Sequence, residues 1–244
     1  MFNIVTCEMK KFKRLWLWLI IGVFVVIKVS TLTLNTSVVK SVDDLFTWVN
    51  MTVFSYGFLM AINILTAYVF VLEYKNNTML VMASYKSERF KIFLGKIIAV
   101  ILISFVLYMI EFLILAGYGL MFYKSTVTSA VLMKHFLITL KSFVFQMLMI
   151  SVTASISLVS RNIIAPIMYI GVQLALSFTF FVYPASRAFI PFALPVTSNL
   201  MLVRNTYKII RDVSIMPSSV IIAVVLFASG LIFGCFYINK MEIN

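Results

Sequence analysis

The chain has 244 residues, of which 63% are hydrophobic and only 11% charged, with a mean hydropathy of +1.08. A soluble globular domain carries about 25% charged residues, so this composition excludes one and reads as an integral membrane protein. A span needs about 20 apolar residues, which leaves room for about six spans and none for a large catalytic module. The net charge of +12 reads as loops facing anionic lipid rather than as a nucleic-acid surface. Cys7 and Cys235 stand at opposite ends of the chain without metal-ligand spacing, so neither a disulfide framework nor a metal site is indicated.

At the amino terminus Val5, Met9, Phe12 and Trp16 recur with helical period, while Glu8, Lys10, Lys11, Lys13 and Arg14 fill the other positions. Residues 1–14 therefore read either as an amphipathic helix on the inner leaflet or as an ordinary basic flank. The apolar run that follows extends through Leu34 without a small-residue cleavage site, which predicts a retained span rather than a signal peptide. Apolar runs bounded by charges or turn residues predict six spans: Leu15 to Leu34, Asn50 to Leu72, Ile97 to Phe122, Phe136 to Leu158, Ile163 to Tyr183 and Ser218 to Ile238. Six spans put both termini on one side. That side receives eleven Lys and Arg against eight on the other, and four of them precede the first span, so both termini are predicted cytoplasmic. No repeat or linker divides the chain, and the expected fold is one all-α, six-span domain.

Glu73 to Lys96, between the second and third spans, is a charged segment predicted to be cytoplasmic. Phe90, Phe93, Leu94 and Ile97 mark a helix leading into the third span, with Ser84 or Ser87 as its cap. The segment serves either as an orientation signal or as a docking element for a soluble partner. An acidic residue closing the second span (Glu73), a small-residue and Thr turn (Asn77-Thr78), then Ser87, Arg89 and Gly95-Lys96 opening the third resemble the pattern of ABC-2 type permeases, the membrane subunits of bacterial ABC exporters. Asn77 replaces a frequent Gly, which preserves the turn, and Lys86 replaces a frequent Pro, which leaves the helix start less defined. The size and the basic, Met- and Phe-rich character are similar to the permeases of bacitracin-resistance and lantibiotic-immunity systems. The resemblance implies a bacterial plasma-membrane protein in which Glu73, Thr78, Lys86, Ser87, Glu88, Arg89 and Lys96 dock on an ABC ATPase. It also implies pairing with a second permease copy or paralogue, and ATP and Mg bound on the partner. The sequence agrees that energy comes from elsewhere, because it contains no G-x-x-x-x-G-K-[ST] phosphate-binding loop.

Two charges fall deep within predicted spans, Lys28 and Glu111. Both lie about 20 Å from the cytoplasmic ends of their helices. They pair or face one polar cavity; alternatively Lys28 snorkels outward and Glu111 is protonated or bonded to a neighbouring span. Gln146, Gln173 and Asn63 read as bridges between helices, and Ser151 to Ser160 as a packing face. Gly230 and Gly234 form one G-x-x-x-G, a close-packing face. From Pro184 to Pro217 the prolines interrupt helix, leaving Thr197 to Ile210 for a short one near Lys208 and Arg211. The resemblance implies a re-entrant element here, while the composition equally permits an interfacial segment.

The leading expectation is a permease subunit moving a hydrophobic or amphipathic substrate, namely a peptide antibiotic, in export, resistance or bacteriocin immunity. The alternative is a membrane scaffold or sensor without transport activity. An intramembrane enzyme is disfavoured, because His135 is the only His and no catalytic set assembles around it at one depth.

Overall fold

The computed structural model of the chain describes residues 2–12, 22, 23, 26, 30, 39–75, 89–183, 187, 189–203 and 213–240; among them helices alternate with short turns and there is no strand. The first helix, α1, spans Phe2–Phe12. α2 (Val42–Thr52) starts at Ser41, whose hydroxyl accepts from the Asp44 amide at 3.2 Å while the Asp44 carboxylate accepts from the Lys40 amide at 3.3 Å. These are reciprocal caps, and Asp43 and Asp44 sit where the helix dipole favours negative charge. A π-helical turn, Val53–Gly57, carries α2 into α3 (Phe58–Lys75). The predicted second span is therefore the inner part of a 34-residue rod that begins at the cap rather than at Asn50.

α4 (Arg89–Phe122) is followed by a tight connection to α5 (Ser129–Met147), capped by Thr128, whose hydroxyl accepts from the Val131 amide at 3.3 Å. A turn at Leu148 and Met149 separates α5 from α6 (Ile150–Ser160). α6 ends at Arg161, which takes the left-handed conformation with φ 56°. Asn162 then accepts from the Ile164 and Ala165 amides at 3.1 and 3.2 Å and opens α7 (Ile164–Val182), so the chain reverses within three residues. Near residue 190 the sequence expectation needs correction. A 3₁₀ turn, Pro191–Ala193, runs into α8 (Leu194–Val203), so the helix begins before Thr197. Pro191 and Pro195 fall in first turns, where the missing N–H has no partner to lose, and there they start a helix rather than break one. Lys208, Ile210 and Arg211 lie outside the described residues. The last helix, α9, is Pro217–Lys240.

Among the described residues, four stretches are long and apolar enough to cross a bilayer: Val42–Lys75, Arg89–Phe122, Ser129–Ser160 and Pro217–Lys240. A shorter apolar stretch, Ile164–Thr179, lies within α7. The expected first span falls outside the described residues except for Gly22, Val23, Val26 and Ser30, which are helical. Leu113, Met121, Phe122, Ile164, Met168 and Ile232 are each more than half exposed on the outside of the bundle. Water does not tolerate so extended an apolar exterior, and lipid does. The chain is a multi-pass membrane protein.

The Ser-rich face of α6 packs on α9, where the Ser155 hydroxyl donates to the Gly230 carbonyl at 2.6 Å. A Cβ at Gly230 would lie 2.6 Å from Ser151 Oγ, and one at Gly234 would enter the Phe93 ring. Both glycines are thus used in packing within the chain. Elsewhere α2, α4, α5 and α8 form a closed ring, each packed on the next. The bundle has two distinct ends. Lys11, Lys75, Arg89, Lys96, Arg161 and Lys240 gather at the end that carries α1, here called basal; Asp43, Tyr123 and Lys134 lie at the distal end.

Candidate coupling site

At the basal end α1 lies against the start of α4. The approach is possible because residue 95 is Gly: a Cβ there would lie 2.7 Å from Ile4 Cγ2. Val5 and Met9 pack on the core beside it, while Thr6, Cys7 and Lys10 stay exposed. The helix expected at the amino terminus is present, but one of its residues faces the other way. Glu8 is 3% exposed and points inward with the apolar face. An amphipathic pattern sorts every charge outward, and it fails where a second charge waits inside the protein.

Four described side chains meet there. Lys96, 2% exposed on α4, places Nζ 3.1 Å from Glu8 Oε2 and 2.9 Å from Glu73 Oε1. Lys11 places Nζ 2.8 Å from Glu8 Oε1 and 2.7 Å from Glu73 Oε1. Two carboxylates and two ammonium groups thus alternate in a ring that ties α1 to the last turn of α3 and the first turns of α4. Burial pulls the Lys11 pKa down, but its hydrogen bonds to Glu73 and Glu8 and their charges outweigh that, leaving it above the ordinary lysine value. The ring clamps both ends of the segment 76–88, which lies outside the described residues together with Thr78, Lys86, Ser87 and Glu88. Of the residues expected to dock a partner, Glu73 and Lys96 are in the packing rather than on the surface. Arg89, the first residue of α4, is 9% exposed and engaged as well. Glu8 and Lys11 were not expected in this site; the signal for them was one acid among four bases at helical spacing from an apolar stripe.

The polar residues deeper in the bundle divide into two groups. The Asn63 amide donates to Gln173 Oε1 at 3.0 Å and accepts from the Thr153 hydroxyl at 2.7 Å. All three are fully buried, and together they join α3, α7 and α6, which is the bridging expected of Asn63 and Gln173. Gln146 on α5 and Glu111 on α4 are equally buried, yet neither side-chain oxygen of Glu111 and neither polar atom of Gln146 has a hydrogen-bond partner among the described residues. Lys28, the partner expected for Glu111, lies outside the described residues. At the distal end His135 Nε2 and Lys134 Nζ approach Asp43 Oδ1 at 2.8 and 2.7 Å, an ion cluster between α2 and α5 that the sequence reading did not assemble.

The chain matches the family described as ABC-2 family transporter protein over residues 4–182, which covers the described helices from α1 through α7 and both halves of the charged ring. No curated protein and no solved structure matches it. A match over this much of the chain settles its family. The chain belongs to the ABC-2 transporter family, the membrane subunits of ABC transporters.

Proposed function

We propose that this chain is the permease subunit of an ATP-driven exporter in the bacterial plasma membrane, with the segment between Glu73 and Lys96 as its docking element for a separate ABC ATPase. The observation that carries this reading is the buried ring of Glu8, Lys11, Glu73 and Lys96. A loop clamped at both ends to two long helices transmits a push as a helix displacement, whereas a loosely attached loop absorbs it. Residues 76–88 then carry the partner contact, while Glu73, Arg89 and Lys96 hold the base on which it acts. The basal end is cytoplasmic in this reading. ATP and Mg bind on the partner, since the sequence has no phosphate-binding loop, and a second permease copy or paralogue completes the pathway. The cargo is a hydrophobic or amphipathic molecule, with a peptide antibiotic as the favoured class.

The test is affinity purification of the tagged chain in mild detergent with its genomic ATPase neighbour co-expressed, followed by transport in vesicles. A stoichiometric ATPase that is lost in Arg89→Glu, and ATP-dependent cargo movement that is lost with it, support the reading. A chain that purifies alone in several detergents and moves nothing is a scaffold or sensor instead.

A further inference from the structure

The ring of α2, α4, α5 and α8 holds an unusual set of polar groups in its distal half. Ring contacts of Phe46 with Phe112 and Phe54 with Tyr108, both at 5.5 Å, and the seat of Val42 on Gly119 fix the register of α2 against α4. That register sets Asn50 at the level of Glu111. Tyr108 Oη lies 3.4 Å from Ser142 Oγ, and Phe112 stacks edge-on with Phe136, which brings Thr139 of α5 to the same level. From α8 the Asn199 amide donates to the Thr47 carbonyl at 2.7 Å, one turn from Asn50 along α2. Asn50, Glu111, Ser198 and Asn199 are 1%, 1%, 8% and 0% exposed. Asn50 Nδ2, both Glu111 oxygens, Ser198 Oγ and Asn199 Oδ1 have no hydrogen-bond partner among the described residues.

Isolated unsatisfied groups occur in native proteins, but five such atoms from three helices near one level call for a missing partner. Most of them accept: the two Glu111 oxygens, Asn199 Oδ1 and Ser198 Oγ. A partner with one positive charge and several N–H donors satisfies these four, whereas an anion or an apolar group does not; Asn50 Nδ2 is a donor and takes nothing from such a partner. Among the described residues nothing in the surrounding helices supplies it. On α2, Asp43 is bonded to Lys134 and His135, and Asp44 is used in the cap; on α5, Lys141 is exposed; α8 carries no ionisable residue; and Tyr108 of α4 faces Ser142.

We propose that Glu111, Ser198 and Asn199 form a buried binding site for one primary ammonium group. A bare carboxylate in this place costs several kcal/mol, so Glu111 holds its charge only while a cation is bound. Binding then releases the acid proton of Glu111 to water as the carboxylate pairs with the ammonium N–H groups. That the ammonium belongs to transported cargo rests on the exporter reading; the site itself does not.

The experiment titrates hexylammonium, with hexanol as the neutral control, into the full chain in lipid nanodiscs without any ATPase, in weak buffer that reports proton release. Hexylammonium binds wild type at least about tenfold more tightly than Glu111→Gln, and releases a proton for each molecule bound, while hexanol does not distinguish the two. Equal hexylammonium affinity in both proteins, or binding without proton release, overturns the site. Should Glu111→Gln fail to fold, infrared spectra of wild type decide: the carbonyl band of a protonated carboxyl fades as hexylammonium is added, and an unchanged band overturns the proposal. Ammonium binding in a chain that exports nothing with its ATPase leaves the site standing and removes the exporter reading, and export without ammonium binding does the reverse.

Discussion

The molecule buries carboxylates in two places, and it treats them in opposite ways. At the basal end Glu8 and Glu73 each face two ammonium groups within 3.1 Å, across three helices. In the distal half Glu111 is buried as deeply and meets no partner among the described residues. A satisfied ring of charges holds elements in one arrangement, because removing any member strands the others in low dielectric. An unsatisfied one has no such structural use and is tolerated where something else completes it. Burial of charge is therefore not one signal; the completeness of the hydrogen bonding around it separates a clamp from a site.

Substitutions break that comparison in graded steps. The largest effect is expected at Lys96: Lys96→Met takes from Glu8 and Glu73 an ammonium group that both share in the ring and should cost about 3–5 kcal/mol in detergent-induced unfolding. A loss under about 1 kcal/mol would mean that the ring contributes no more than an exposed pair. Gly95→Ala should cost about 1–3 kcal/mol by pushing Ile4 off α4. Much of that should return in the double variant Ile4→Ala/Gly95→Ala, and a simple sum of the two single losses would place the strain elsewhere. Asn63→Leu strands Gln173 and Thr153 and should cost about 1–2 kcal/mol, measured the same way. Because the folded pKa of Lys11 is raised, its contribution is fully present below the unfolded lysine value of about 10.4 and fades as pH climbs through the higher folded one. Lys11→Met should remove that alkaline fall from the stability profile and leave the neutral range nearly flat. Smallest of all, Glu111→Gln should leave stability within about 1 kcal/mol of wild type, since it replaces an unpaired acid with a neutral group of the same shape.

Long apolar runs made transmembrane helices legible, and the cost of polar groups in lipid marked Asn63 and Gln173 as residues that bridge helices without saying that they bond to each other. What the sequence left open was set by distant partners. Glu8 reads as solvent-facing until Lys96, far along the chain, is brought beneath it. Asp43 and His135 are 92 positions apart, and only the antiparallel packing of α2 and α5 joins them. Pro191 and Pro195 read as breakers because position within a helix, not residue type, decides whether a proline starts or stops it. The polar level around Glu111 draws Asn50 from α2 and Ser198 and Asn199 from α8, each unremarked alone.

The most direct test of the contrast places Lys96→Met and Glu111→Gln in one assay: recovery of the co-expressed ATPase with the purified chain in nanodiscs, and its turnover with and without an amphipathic amine. The account predicts that Lys96→Met loses the ATPase or its stimulation altogether, while Glu111→Gln keeps a stoichiometric ATPase and loses only the response to the amine. An ATPase bound and stimulated as in wild type with the charged ring broken would contradict it.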